Sequence, residues 1–476
     1  MLPPLPPVVA TTPESRLEYV LRHFWQAHEG QPEVTIGYVA TQPQVGITEA
    51  AGTFFAETSP YPAPPNWREW SGQRLPFFFD PHPERPLLEL LPGGQAHVNA
   101  DIVSAAFYLL SGWQEFFSDE RDQHGRFPYA ASVQCRYGFV AVPVVNYYFD
   151  VLRTAVEHAT GQLLPLRRWA GGAPFATFVT HDIDSLHGAW KAPAKAALQR
   201  RQWWSFGRQL WRHFTQPDTW DNLKLVQRTV AEFGAKSTFF FLPEHRKAAN
   251  GTPNADYNIQ QEWPKLAAAI GDSEIGLHAS LGTARHGGKL KKDWLKIPVP
   301  CSGIRFHYLD WEPRITPTLL SMTSMRFDST LGFAEHYGFR NSYCLPFQLF
   351  DFNSFGSQPS LIPFFLPLGL PPTFISSPAK PVQGHSFLEI PLNVMDATLH
   401  HPNYLQLAPD EILPTLTPMF REIERFGGVC TLLWHNDHFD PANTTTGPRQ
   451  FAELMHYLRS RNTIFVNGYD IWEAVM

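Results

Sequence analysis

Residues 175–184, FATFVTHDID, pass from apolar and β-branched residues into two aspartates and a histidine, and the same transition recurs towards the C-terminus. Apolar runs of strand length (KSTFFFLP, EIGLHAS, GIRFHYL, MRFDSTLGF, LEIPLNVMD, VCTLLWHND, NTIFV) alternate with longer stretches whose apolar residues fall at helical spacing. Those stretches are KAALQRRQWWSFGRQLWRHF, DNLKLVQRTVAEFG, QEWPKLAAAIG, ITPTLLSMTS, APDEILPTLTPMFREIERFGG and GPRQFAELMHYLRSR. Strands that alternate with helices at this length imply βα units and a parallel sheet. With about seven such strands, a (β/α) barrel is expected in preference to an open sheet.

The first 165 residues follow a different rhythm. Helices are predicted over 15–28, where Leu17, Val20, Leu21 and Phe24 share a face, over 98–117 and over 144–160; strands are predicted over 34–40 and 74–80. The stretch GQLLPLRRWAGGAP at 161–174 carries the proline and glycines of a boundary. The expected organisation is an α/β accessory domain over 1–165, of unknown role, and a distorted (β/α) barrel over 170–476. A chain of 476 residues exceeds the roughly 250–300 at which single cores stop growing, which also favours two domains.

Composition narrows the partners. A net charge of −6 offers no basic footprint, so no nucleic-acid partner is expected. The cysteines, Cys135, Cys301, Cys344 and Cys430, are scattered without a CxxC pair and read as packing thiols in a reducing compartment. No basic, apolar leader opens the chain, and the apolar run at 361–374 is cut by prolines and too short to span a bilayer. A soluble, cytoplasmic protein without a transmembrane segment is expected, although a short proline-rich loop could touch a lipid-linked substrate. Nothing in the pattern sets an oligomeric state.

Candidate chemistry gathers at the strand ends. Asp182 and Asp184 stand on alternate positions of one strand and so share a face. Like charges that close repel unless a cation or a proton relieves them, which suggests a metal site or a tuned acid/base pair; a solvated turn with an aspartate cap is the plainer reading. His278, Arg305, His307, Asp328 and His435 also lie at or just past C-terminal strand ends. Active sites of β/α barrels are built on that rim, and so many strand ends bearing such residues are hard to explain as packing.

The ordered set THDID, EIGLHAS, GIRFHYL, FDSTLGF and TLLWHND resembles the polysaccharide deacetylase family with NodB homology, metal-dependent carbohydrate esterases on a distorted (β/α) barrel. More narrowly, RFHYL together with LGFAEHYGFRNSYCLPFQLFDF and EIPLNVMDATL is similar to bacterial polysaccharide-deacetylase-like proteins that carry an uncharacterised N-terminal domain. The resemblance covers essentially the whole chain. It implies Asp182 as general base, Asp184 and His278 as ligands of a divalent metal, most often zinc in such sites, Arg305 holding the base, the Tyr308 backbone N–H binding the oxyanion, and His435 as general acid. One departure stands out: the family places a second metal histidine four residues after the first, and this chain has Gly282 there. His307, which replaces the family's proline, is the candidate third ligand, with His181, His286 and an inactive, poorly metal-binding site as the competing readings.

The resemblance further implies a substrate carrying N-acetyl groups on an amino sugar of a polysaccharide or glycan precursor. Trp311, Arg340 and Asp328 are candidates for the sugar cleft; a buried Arg–Asp pair tying two loops is the alternative for the last two. Asp396 reads either as a helix N-cap or as a tuner of an active-site histidine. Trp434 and Phe439 offer apolar faces to a pyranose ring or belong to the core, while Asn436 and Asp437 shape a loop or meet substrate. Two other functions stay open: hydrolysis of another non-peptide C–N bond, and a catalytically inactive glycan-binding barrel.

Overall fold

The computed structural model describes residues 11–248, 251–352 and 387–476. The expectations for the extreme N-terminus and for the apolar run at 361–374 therefore lie, wholly or in part, outside the described residues. Fifteen strands are present among them. Six belong to the N-terminal region: β1 (Ile36–Tyr38), β2 (Val45–Ile47), β3 (Asn66–Trp70), β4 (Gln73–Phe77), β5 (Leu88–Leu91) and β6 (Gln95–Val98). Nine follow: β7 (Ala176–Ile183), β8 (Thr238–Phe241), β9 (Glu274–Ala279), β10 (Gly303–Phe306), β11 (Phe327–Asp328), β12 (Leu388–Glu389), β13 (Val394–Met395), β14 (Val429–Leu433) and β15 (Ile464–Val466).

The nine form one all-parallel sheet in the order β12-β11-β10-β9-β8-β7-β14-β13, with β15 paired to the first half of β7. Among the described residues β12 and β13 do not pair, so the barrel is open at that seam. The architecture is thus α/β, a distorted barrel with an N-terminal accessory region. Its nine strands exceed the expected seven or so, and one of the additional strands arises because Pro391, which cannot donate to a ladder, lies between β12 and β13 in LEIPLNVMD. Inside the barrel, Ala176, Phe178, Phe240, Phe327, Leu388, Ile390 and Val429 form a buried cluster. Glycine is required where those rings cross neighbouring strands: a Cβ on Gly276 would stand 2.4 Å from the Phe240 ring, and one on Gly303 2.1 Å from that of Phe327.

In the N-terminal region a four-stranded sheet, ordered β1-β2-β6-β5, packs with helices Pro13–Gln26, Ile102–Leu110 and Val144–Thr160, and β3 and β4 form a separate antiparallel pair. Thr12 caps the first helix by accepting the Ser15 N–H at 3.2 Å. Two helices expected as single pieces are broken at left-handed residues. Gly112 (φ 73°) separates Ile102–Leu110 from Trp113–Phe117, and Arg201 (φ 56°) separates Lys191–Gln199 from Trp203–Thr215. No helix among the described residues is long and apolar enough to cross a membrane.

The two regions share one buried apolar cluster, in which Phe107 meets Phe350 at a ring separation of 4.8 Å. Their contact is also ionic. Arg340, after β11, donates to Glu115 through Nε (2.8 Å) and Nη2 (2.6 Å), and both side chains are almost fully buried. Arg314 donates to the carbonyls of Phe116 and Ser118, and Arg121 reaches Glu312 at 3.1 Å. Removing one partner of a buried bidentate pair strands the other charge in a place water cannot reach. Glu115→Ala is therefore expected to lower unfolding free energy by about 3–5 kcal/mol in urea titration. A loss under about 1 kcal/mol would mean that Arg340 finds another acceptor.

Candidate metal and acid–base site

Alternation along β7 decides what its polar residues face. Ala176 and Phe178 point into the barrel, so Thr180, Asp182 and Asp184 follow on the same side and climb to the C-terminal rim. His181 takes the opposite side, where it is fully buried among Phe239, Phe439 and Phe451 with Nδ1 against the Trp434 carbonyl at 2.7 Å. Burial there pushes its pKa down to about 4. His286 is exposed at the start of helix Gly287–Trp294. Neither imidazole joins the rim cluster.

Three side chains converge at the rim: Asp184, His278 from β9 and His307 just after β10. His278 Nε2 lies 3.0 Å from His307 Nδ1; Asp184 Oδ1 lies 3.3 Å from the first and 3.4 Å from the second. Those edges match the roughly 3.3 Å face of a tetrahedron with metal–ligand bonds of about 2.0–2.1 Å. Asp184 Oδ1 is buried and accepts no hydrogen bond among the described residues. His278 Nδ1 sits 3.0 Å from the Arg305 carbonyl, so it carries a proton there and turns Nε2 towards the cluster. The donor set fits a divalent cation: one carboxylate, two imidazoles, and an opening on the partly exposed side of Asp184.

Electrostatics agree with that opening. Burial would raise the Asp184 pKa, but His307, His278 and His435 outweigh it and hold the carboxyl well below its usual range. Burial depresses the His307 pKa to about 4, which favours a neutral imidazole.

His307 owes its aim to a strained turn. Tyr308 and Leu309 both hold positive φ (60° and 54°), conformations that cost energy for side chains with a Cβ and persist only where surroundings enforce them. The N-terminal region does the enforcing: Arg126 donates Nη1 to the Tyr308 carbonyl at 2.8 Å, and the His124 ring stacks on Tyr308 at 4.8 Å. Gly282 occupies a left-handed position (φ 82°), its N–H donated to Asp310 at 3.0 Å. The chain there is a turn, and the second imidazole of the cluster comes from His307, just past the end of the neighbouring strand β10.

Two further groups flank the cluster. Asp182 Oδ1 accepts from Arg305 Nη1 at 2.9 Å, and its Oδ2 lies 3.7 Å from His278 Nε2. Arg305 is itself held by Thr180 Oγ1, the Ser329 carbonyl and Ser329 Oγ at 2.7–3.0 Å, with its guanidinium over the Phe240 ring. On the other side, His435 Nε2 points towards Asp184 Oδ2 at 3.8 Å while its Nδ1 meets Asp396 Oδ1 at 2.8 Å. Asp396 also accepts the His435 backbone N–H, so one carboxylate fixes both ring and main chain. Burial alone would lower the His435 pKa; Asp396, then Asp184 and Asp182, raise it well above the ordinary histidine value.

The three residues expected in a sugar cleft lie elsewhere. Arg340 is spent on Glu115, and Trp311 is buried beside Glu115, Phe350 and Phe352. Asp328 has the opposite parity to Phe327 and Ser329, so it faces away from the barrel interior, towards Glu389 and Thr330. Burial and the Asp328 charge push the Glu389 carboxyl far up. Trp434 and Phe439 are fully buried, Trp434 donating Nε1 to the Thr446 carbonyl. Asn436 ties the Ser185 and Trp220 carbonyls together, as a loop-shaping residue does.

Thr180, Ser329, His124 and Arg126 support the site without having been singled out from sequence. Ser329 and Thr180 could have been found by strand parity; the two N-terminal residues carry no such signal.

The family of unknown function DUF7033 matches residues 9–161. No curated protein matches the chain. Among solved structures, the chain is similar to a protein described as a polysaccharide deacetylase from Mycobacterium smegmatis, with 15% identity over 65% of this chain and 92% of that one, TM-score 0.39. It is also similar to the Puue allantoinase (13% identity, 64% and 91%, TM-score 0.36) and to a protein described as a polysaccharide deacetylase from Pseudomonas aeruginosa PAO1 (12%, 64% and 92%, TM-score 0.36).

Proposed function

We propose that the chain is a metal-dependent hydrolase that removes N-acetyl groups from an amino sugar of a polysaccharide or glycan precursor. The observation that carries this reading is the triangle of Asp184, His278 and His307, flanked on one side by a carboxylate held on arginine and on the other by a histidine held on carboxylate. A divalent cation held by those three side chains, which we assign as zinc, supplies Lewis acidity to an acetyl carbonyl and to water.

The remaining chemistry belongs to the chain's own groups. Asp182, with Oδ1 tied to Arg305, has Oδ2 available to accept a proton from the attacking water. The Tyr308 N–H, on its enforced turn, is the candidate donor to the oxyanion, a kind of contact that usually contributes the largest share of such a rate enhancement. An amide nitrogen leaves badly as an anion, so the departing amine needs a proton. His435 supplies it from Nε2, because its Nδ1 is engaged by Asp396, whose charge raises the imidazole pKa above the ordinary histidine value.

We place residues 1–165 as an accessory domain whose Arg126 and His124 brace the Tyr308 turn. We place the protein in the cytoplasm, a reading supported by its four unpaired cysteines. The test is acetate release from N-acetylated sugars with metal content measured in parallel. Chelation is expected to abolish release and added Zn²⁺ to restore it. Full turnover after chelation would overturn the metal assignment, and hydrolysis of cyclic amides without acetate release would favour another C–N bond.

A further inference from the structure

Helix Trp203–Thr215 has no buried residue, yet it carries five large apolar side chains and one more tryptophan at its start. Trp203, Gly207, Leu210, Trp211 and Phe214 fall on one face by helical spacing, with Trp204 and Phe206 at its edges. One edge of that face, Phe206 and Leu210, is half-buried. The other edge is open to solvent: Trp203 is 66% exposed, Trp204 87%, Trp211 60% and Phe214 76%. Isolated exposed apolar residues are ordinary, but four large aromatics within three turns make a contiguous patch, and such patches mark contact sites.

Charge singles out the same element. Between Lys191 and Gln216 the chain holds six basic residues and no acid, in a protein whose net charge is −6. Lys191 is 3.3 Å from Asp256. The other five, Lys195, Arg200, Arg201, Arg208 and Arg212, are exposed and make no ion pair among the described residues. Arg208 and Arg212 border the open aromatic edge, so cations and aromatics are presented to solvent together.

The hairpin of Lys191–Gln199 and Trp203–Thr215 is also firmly rooted. Trp190 stacks on His213 at 4.4 Å. Its outgoing end leaves the β7 segment that carries Asp184. On its return, Thr219 donates to Asp440 at 2.7 Å and Asn222 to the Asn436 carbonyl at 2.9 Å, on the turn that follows His435. The patch therefore stands on the same rim as the metal triangle, held at both ends by segments of that rim.

We propose that this hairpin docks the protein onto an anionic lipid bilayer, with Trp203, Trp204, Trp211 and Phe214 entering the interface and the arginines and lysines meeting the headgroups. Tryptophan and phenylalanine favour the depth between headgroup and acyl chain, and clustered basic residues add attraction to an anionic leaflet that decays within a Debye length. A protein partner would leave the acid-free run of six cations without a reason; an anionic bilayer accounts for the charge and the aromatics at once. Docking is independent of the chemistry proposed above and is read without any turnover.

The test is cosedimentation of the full chain with vesicles of phosphatidylcholine alone and of phosphatidylcholine with about 30% phosphatidylglycerol, at about 0.1 M salt. Wild type is expected to bind the anionic vesicles at least about tenfold more strongly than the neutral ones. Both the combined Trp204→Ser, Trp211→Ser, Phe214→Ser variant and the combined Arg208→Glu, Arg212→Glu variant are expected to lose about tenfold or more with unchanged thermal unfolding. Quenching of wild-type tryptophan fluorescence by brominated anionic lipid gives a second readout that needs no variant, and it should be present.

Four results would overturn the proposal: no binding by wild type, equal binding to both vesicles, absence of quenching, or full binding by the aromatic variant with loss only on charge reversal, which would mark a general polyanion surface. So would a wild-type dimer in sedimentation velocity that the aromatic variant dissolves without any vesicle binding, since the patch would then join two copies of this chain.

Discussion

Asp182→Asn is expected to lower kcat for acetate release by about 10²–10⁴-fold while the protein keeps its full complement of metal. The substitution preserves shape and leaves an amide oxygen to accept from Arg305 at the place where Oδ1 does so now, 2.9 Å from Nη1. What it removes is the basic oxygen that faces the cluster. Metal retention follows from geometry: the triangle of Asp184, His278 and His307 closes without Asp182, whose Oδ2 lies 3.7 Å from His278 Nε2. Because the loss lies in proton transfer and not in sugar binding, KM should change little. Metal content by mass spectrometry and acetate by coupled assay decide the matter. Retention of more than about a tenth of the turnover would remove Asp182 as base, and loss of the metal would make it a ligand.

How much of this site could be read from sequence depends on the kind of regularity involved. Strand periodicity and the rule that barrel sites lie at C-terminal strand ends were enough to bring Asp182, Asp184, His278, Arg305, His307 and His435 into one neighbourhood. The same rule overreached at Asp328, although the signal against it was present: Phe327 and Ser329 beside it claim the inward parity, and a strand residue cannot share a face with its immediate neighbours. Arg340 and Trp311 could not have been placed by pattern, because the group that engages Arg340 is Glu115, 225 residues away in a region of separate rhythm. Likewise, the helix break at Arg201 carries no glycine or proline to announce it; tertiary contacts such as Trp190 on His213 set it instead. Of the two alternatives for Asp396 the structure takes the second: Met395 precedes the helix without a side-chain cap, Asp396 is its first residue, and the carboxylate holds His435.

His307→Ala is expected to weaken metal binding by more than about a hundredfold and to remove turnover with it, since losing even a supporting contact to a ligand costs about 10–100-fold and this change deletes a ligand outright. Two side chains, Asp184 and His278, would remain, and a catalytic zinc site ordinarily needs three. The prediction is sharpened by its controls. His181→Ala removes an equally buried imidazole from the other face of β7 and should leave metal content unchanged, though it costs stability through the cavity it opens. Arg126→Ala should act between these limits. It frees the Tyr308 carbonyl and loosens the turn that aims His307, so metal affinity falls while every ligand is still present. Equilibrium dialysis with Zn²⁺ reads all three, and added imidazole should restore part of the binding to His307→Ala by occupying the space the side chain left. Stoichiometric zinc in His307→Ala at wild-type affinity would show that the third ligand comes from elsewhere, and the enforced left-handed turn at Tyr308 and Leu309 would then need another purpose.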